Sequence, residues 1–304
     1  MRNAFVNTII DEVPNRDDLF VISGDAGLGV FDDFKTRHPD RFLNLGAAEQ
    51  NMIGFAAGLA LSGFKVMVYN IIPFVLYRCY EQVRNDICYQ DLPVILAGIG
   101  SGLTYSPQGM THYSIEDVAI ARTMPNLAVI SPIDPVEARL AARYALEADT
   151  PVYVRLAKRG EPDIHPHDRF RIDQAQQLRR GERVALVCHG SIAEEALKAH
   201  AVLAQRGIAP RVVSVPMLNP LDEEALFGQL EGIETVISVE EHYSDGGLGT
   251  ILAETFAASG RGTKLVRLGV PRRFIHDICD NAGMRRRFGI CADAIVDAVA
   301  RQYR

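Results

Sequence analysis

The stretch "FLNLGAAEQNMIGFAAGLAL" (residues 42–61) places one ionisable group, Glu49, at the mouth of a largely apolar segment. Two chemistries fit that placement. Glu49 could favour the positive end of a helix dipole, although Ser or Asp would cap a helix at less cost. Alternatively, a carboxyl held against apolar walls makes a good partner for a ligand nitrogen. A second candidate is His112, in "SPQGMTHYSIED" (residues 106–117), which follows the apolar run "PVILAG" through the Gly-rich "AGIGSGLTY". It reads either as an ordinary loop histidine or as a substrate contact at the carboxyl end of a central strand.

Other polar clusters are less specific. "SGDAGLG" (residues 23–29) follows a strand but has neither GxGxxG nor GxxxxGK[ST] spacing, so it reads as a tight turn at a sheet's carboxyl edge. "SVEEHYSDGGLG" (residues 238–249) carries two carboxylates and a histidine before glycines. Catalysis or metal binding would use them, and so would a polar turn at a subunit contact. His165 and His167 form an HxH pair that reads as a metal pair or as exposed linker residues. With no HExxH or CxxC spacing, no metal held by this chain is expected. The basic run "MRRRFG" (residues 284–289) reads as a phosphate contact or a solvated helix end.

The elements that must position these residues alternate. Strands are predicted at 19–23, 65–69, 93–98, 127–131 and 152–156, with helices at 49–62, 74–89 and 135–147. The last helix has a clear start, with Asp134 as N-cap, Pro135 at the first position and Glu137 completing a capping box. Polar sequence with no apolar periodicity, about residues 158–182, reads as a linker. Beyond it, strands are predicted at 184–188, 211–215, 235–239 and 264–269, and helices at 192–205, 222–230, 248–259 and 292–301. The fold class is therefore α/β, as two domains, 1–170 and 178–304, each a mainly parallel sheet flanked by helices.

Composition agrees with this architecture and narrows the function. A chain of 304 residues can bury two cores, and 48% apolar with 23% charged residues argues against disorder. A net charge of -6, with no basic patch, gives no electrostatic case for nucleic acid. No apolar run approaches the roughly 18 residues of a membrane span, and the N-terminus does not look like a signal peptide. The five cysteines, odd in number, suit reduced thiols, so a cytoplasmic protein is expected.

In order along the chain, "F.N.GAAEQNMIGFAAGLA", "PF....YEQVRNDI", "GMTHYSIEDVAIARTMPNLAVISP.D..EA", "PVYVRL" and "EEH...GGLG" resemble the C-terminal half of transketolases and of 1-deoxyxylulose-5-phosphate synthases. The resemblance implies a pyrimidine-binding domain followed by a transketolase C-terminal domain, with thiamine diphosphate as cofactor. It implies that Glu49 hydrogen-bonds the ring nitrogen of the aminopyrimidine, activating the cofactor as electron sink, and that Phe74 stacks on that ring. His112 matches the histidine of the family's "GPTH" stretch, which reaches the donor substrate. Asp25 and Ala26 fall at the cofactor's edge, while Arg2 and Lys158 or Arg159 fall near positions that bind sugar phosphate.

Departures from the family pattern are also visible. "QGMTH" puts Gln108 where the family has an aspartate on the donor hydroxyls, "GDA" puts Ala26 where a larger residue supports the cofactor, and "YNIIP" lacks a second aromatic. The GDG…N motif that holds diphosphate and Mg2+ is missing. The resemblance thus implies the C-terminal subunit of a split transketolase, acting on sugars or sugar phosphates. An N-terminal subunit would carry the diphosphate-binding domain and the Mg2+ ligands, in a heterotetramer of two plus two chains. Alternatives are the beta subunit of a 2-oxo acid dehydrogenase's decarboxylating component, a synthase condensing pyruvate with an aldehyde, and a catalytically silent regulatory homologue.

Overall fold

Short β-branched runs separated by helices give two stacked α/β units. The computed structural model describes residues 1–304 except Leu28, Arg159 and Arg304. The first sheet contains β1 (Leu19–Ser23), β2 (Phe42–Asn44), β3 (Lys65–Ile71), β4 (Val94–Ile99), β5 (Ala128–Ile130) and β6 (Val152–Leu156), all parallel. The second contains β7 (Gln176–Arg179), β8 (Arg183–Cys188), β9 (Arg211–Ser214), β11 (Ile233–Tyr243) and β12 (Lys264–Val270) in the order β12-β11-β8-β9-β7. Between β9 and β11 in sequence, β10 (Met217–Asn219) leaves this unit and pairs antiparallel with β5, giving the first sheet the order β10-β5-β6-β4-β3-β1-β2. Every residue of β4 and β6 is buried, because helices cover both faces of the sheet.

Helices α1 (Arg2–Glu12), α2 (Asp32–Arg37), α3 (Glu49–Leu61), α4 (Tyr80–Gln82), α5 (Asp117–Ala121) and α6 (Pro135–Glu147) belong to the first half. The second half carries α7 (Ala193–Ala204), α8 (Glu223–Gln229), α9 (Leu248–Ser259), α10 (Asn281–Arg287) and α11 (Ala292–Ala300). The capping box predicted for α6 is present, with Asp134 accepting from the Glu137 amide at 2.8 Å. The single helix predicted at 74–89 is instead two wide turns, Pro73–Tyr77 and Val83–Cys88, flanking α4. Amides there reach five residues back, Arg78 N to Pro73 O at 3.0 Å and Tyr89 N to Arg84 O at 2.9 Å, which widens the helix. The segment read as a linker contributes β7, a polar edge strand whose alternating burial is too short to stand out in sequence.

The two halves share one apolar cluster, in which Val118, Ala121 and Met124 join Leu248, Leu252 and Phe256. Polar ties run through it. Arg155 on β6 is buried; its Nε donates to Asp117 Oδ2 at 2.7 Å, and Nη2 donates to the carbonyls of Ser114 at 2.9 Å and Glu241 at 2.8 Å. Tyr153 donates to the same Asp117 oxygen at 2.8 Å. At a second tie, Glu137 on α6 accepts from Ser214 Oγ of β9 and from the Ile133 amide, both at 2.8 Å, with His165 Nε2 at 3.8 Å.

Two outcomes are expected. Arg155→Met strands the Asp117 carboxylate and should cost about 3–5 kcal/mol in urea unfolding, whereas a loss under 1 kcal/mol would refute the tie. The second concerns Glu137, whose carboxyl burial raises from 4.5 to about 7. The neighbouring His165 is also raised, because the Asp134 hydrogen bond and the Glu137 charge outweigh its desolvation. Asp134 is lowered; hydrogen bonds from His165 and the Glu137 amide overcome its own burial. For both raised groups the stabilising contribution is full at low pH. Glu137's is lost as pH climbs from 4.5 through 7. Melting temperature should therefore fall between about pH 5 and pH 8, and Glu137→Gln should flatten that fall. An equal slope in the variant would count against it.

Candidate active site

Glu49 is positioned by a loop clamped at the carboxyl end of β1. Leu45 N donates to Ser23 O at 3.0 Å, Asp25 N to Gly46 O at 3.1 Å, and Gly46 N to Asn44 Oδ1 at 2.8 Å. Gly46 takes a φ of 65°, which favours glycine, and three residues later Glu49 opens α3. Its place in the first turn of α3 suits the helix dipole, but the carboxylate does not cap the helix and turns instead to a basic partner. Glu49 is 6% exposed, and its Oε2 accepts from Arg78 Nη1 at 2.8 Å. Nearby, burial reinforced by the Glu49 charge pushes the Cys79 thiol up to about 12.

Beyond β3, the wide turn Pro73–Tyr77 presents the Phe74 ring, partly open to solvent. The Arg78 guanidinium lies 4.5 Å from the Phe74 ring centre, and the His112 ring meets Phe74 edge-on at 5.5 Å. Tyr105 approaches His112 at 6.3 Å, and Lys158 Nζ sits 5.3 Å over the Tyr105 ring. Arg2 brings its charge close to Tyr69 and Tyr105, offsetting part of the upward push that burial gives both phenols. One continuous wall thus runs from Glu49 through Phe74, His112 and Tyr105 to Lys158.

The loop bearing His112 is anchored at both ends. Gly102 and Ser114 exchange backbone hydrogen bonds, and the Ser114 carbonyl accepts from the buried Arg155. Tyr77 donates to Glu116 Oε2 at 3.2 Å and accepts from the Glu116 amide at 3.2 Å, joining the Phe74 turn to the loop's end. Burial raises the Glu116 carboxyl above its ordinary value.

Other predicted residues lie farther out. Gln108 is exposed in the turn Ser106–Gln108. Asp25 and Ala26 line a separate cavity of about 140 Å³ with Phe31, Lys35 and Asn44, linked to Glu49 through the backbone clamp. Lys158 also borders a cleft of about 270 Å³ between the halves, with Thr104, Ser191, Asn281 and Arg285. Arg159 lies outside the described residues.

The remaining clusters are structural. His165 is not an exposed linker residue; its ring pairs with Asp134 at 3.1 Å, while His167 accepts from the Arg169 amide. In "EEH", Glu240 accepts from the Leu248 and Gly249 amides at the start of α9, and Glu241 from Arg285 at 2.6 Å. His242 Nε2 accepts from the Ala119 amide at 3.3 Å, so Nδ1 donates to Tyr243 O at 2.8 Å. "MRRRFG" is not a solvated helix end throughout, because Arg285 is buried against Glu241. Among the described residues no group of three or more His, Cys, Asp or Glu is placed to hold a metal, and no helix is long and apolar enough to cross a membrane. Sequence reading missed Arg78 and Tyr105. Arg78 stands four residues after Phe74, a spacing that returns a side chain to the same helical face.

Known proteins match this arrangement along the chain. The transketolase pyrimidine-binding domain matches residues 1–161 and the transketolase C-terminal domain residues 173–295. An apulose-4-phosphate transketolase subunit from Actinobacillus succinogenes is 39% identical over 299 residues, covering 98% of this chain and 96% of that protein. Its namesake from Phocaeicola vulgatus is 31% identical over 302 residues, covering 97% and 96%. A split gene transketolase, solved as an inactive beta4 tetramer, superposes with a TM-score of 0.87 at 31% identity, covering 99% of this chain and 97% of that one. This chain belongs to the transketolase family, as the C-terminal subunit of a split transketolase.

Proposed function

We propose that this subunit supplies the pyrimidine side of a two-chain site that moves a two-carbon ketol unit between sugar phosphates. The observation carrying this reading is the buried Glu49 carboxylate facing the open Phe74 ring, with a planar cation already held between them. A planar nitrogen heterocycle fits the same pair of contacts. Bound there, thiamine diphosphate would supply the electron sink that ketol transfer needs.

Glu49 would hold a proton at the ring nitrogen, kept from water by the buried Met52, Ile53 and Cys79 around it. Phe74 orients the ring by stacking. His112, edge-on to Phe74, is the polar group placed to meet the donor, and Tyr105 backs it. Lys158, over the Tyr105 ring, and Arg2 would take the phosphate, with Arg159 a further candidate. Gln108 replaces a charged donor contact with a neutral amide, and Asp25 and Ala26 would meet the cofactor from the neighbouring cavity. Residues 1–170 would act as the pyrimidine-binding domain and 178–304 as the C-terminal domain. A partner chain would bring the diphosphate-binding domain and the Mg2+ ligands in a heterotetramer of two plus two chains. The names of its relatives favour a phosphorylated ketose such as apulose 4-phosphate as donor.

In the complex assembled with its partner chain, Glu49→Gln should lower kcat by at least about 100-fold, and unchanged turnover would sink the assignment. Lys158→Ala should raise KM about tenfold for a phosphorylated ketose and leave an unphosphorylated one unaffected; equal effects on both would remove Lys158 from the phosphate site. With an aldose phosphate present as acceptor, and xylulose 5-phosphate or pyruvate offered as donor in separate assays, the complex should consume only the sugar donor, its two-carbon unit passing to the acceptor aldehyde. Turnover of pyruvate alone would overturn the ketol-transfer reading.

A further inference from the structure

The contact between Glu49 and Arg78 has a geometry that bears on how the site is filled. The guanidinium is planar and cationic, and it makes two contacts at once. One is a 2.8 Å ion pair to the buried carboxylate, and the other is a stack 4.5 Å from the Phe74 ring centre. Those are the two contacts that the proposed function assigns to an aminopyrimidine ring. We infer that Arg78 is an internal stand-in for that ring. Its guanidinium occupies the pyrimidine seat until the cofactor arrives, and must leave for the cofactor to bind.

Local structure makes such an exchange feasible. The backbone of Arg78 is fixed, its amide donating to Pro73 O at 3.0 Å, so the side chain alone has to move. That side chain keeps 48% of its exposure, against 7% for Glu49, so it reaches the seat from solvent and can return there. Burial explains why a stand-in is useful. A carboxylate shut away from water without a partner is costly, and the guanidinium offers charge, hydrogen bond and π-face in one rigid fork. Because one partner is half exposed, the pair is also weak enough to break. Glu49 is thereby kept partnered and aimed, and the closing contact is reversible.

This inference rests on the reading of Glu49 and Phe74 as the pyrimidine seat, and the experiment separates the two. Thiamine diphosphate, with Mg2+ present, is titrated into the assembled two-chain complex by calorimetry, for wild type, Arg78→Gln, Phe74→Ala and Glu49→Gln. Removing the stand-in should tighten Kd by about three- to tenfold, the range expected for an exposed ion pair plus a cation–π contact. Phe74→Ala and Glu49→Gln should each weaken binding. If both of those weaken it while Arg78→Gln leaves Kd unchanged or raises it, the seat stands and the stand-in is wrong. If neither weakens it, the seat itself is wrong, and the inference falls with it. Arg78→Lys keeps the charge but loses the planar fork, so it should tighten binding less than Arg78→Gln, and tightening beyond Gln would also count against the stand-in. A melting temperature close to wild type for Arg78→Gln checks that the change is in binding rather than folding.

Discussion

A guanidinium with no access to water has to find all its partners inside the protein, and Arg155 finds them on three separate elements. It rises from β6, the strand between β4 and β5, and its donors reach the carboxylate that opens α5, the carbonyl ending the His112 loop, and the carbonyl of Glu241 on β11. Desolvation makes any partial arrangement expensive, so these groups assemble together or not at all. Fixing the Ser114 carbonyl fixes the loop behind it, and fixing Glu241 sets the second unit against the first. The candidate site inherits its geometry from that one buried cation.

The same economy of polar groups recurs at the domain junction. Glu240, Glu241 and His242 sit in consecutive positions of β11, and each meets a different neighbour: the start of α9, Arg285 on α10, and the Ala119 amide of α5. A strand that looks catalytic in sequence is a row of fasteners. By contrast, the wall formed by Phe74, His112, Tyr105 and Lys158 leaves its polar ends partly open. The contrast between spent and unspent side chains separates the scaffold of this chain from its working surface.

Much of the scaffold was legible in the sequence. β1, β6, α6 and α9 have the predicted bounds, because apolar runs between turn residues and a strong capping box leave little alternative. What escaped was short or polar. β2 and β10 have only three residues each, β7 alternates polar side chains at a sheet edge, and α1 has no side-chain cap to announce it. At the site, Glu49 stood out as a carboxylate in apolar company and His112 as a histidine in a loop after a central strand, while the Phe74 position came from resemblance. Arg78 and Tyr105 did not stand out, since an arginine and a tyrosine in polar-flanked segments have many ordinary uses. Only their placement in space marks them.

The strand that crosses from one unit to the other bears on where this chain can be divided. β10 belongs by sequence to the second unit but completes the first sheet beside β5, and Ser131 N donates to Pro216 O at 2.7 Å. A cut in the segment between the two matched domains would strip that strand away and leave β5 with a bare row of amides and carbonyls, an invitation to pair with another chain. The pyrimidine-binding half therefore draws one edge of its sheet from the other half. Whatever separates this chain from its catalytic partner, a second division inside it would meet a barrier of unpaired backbone rather than a flexible hinge.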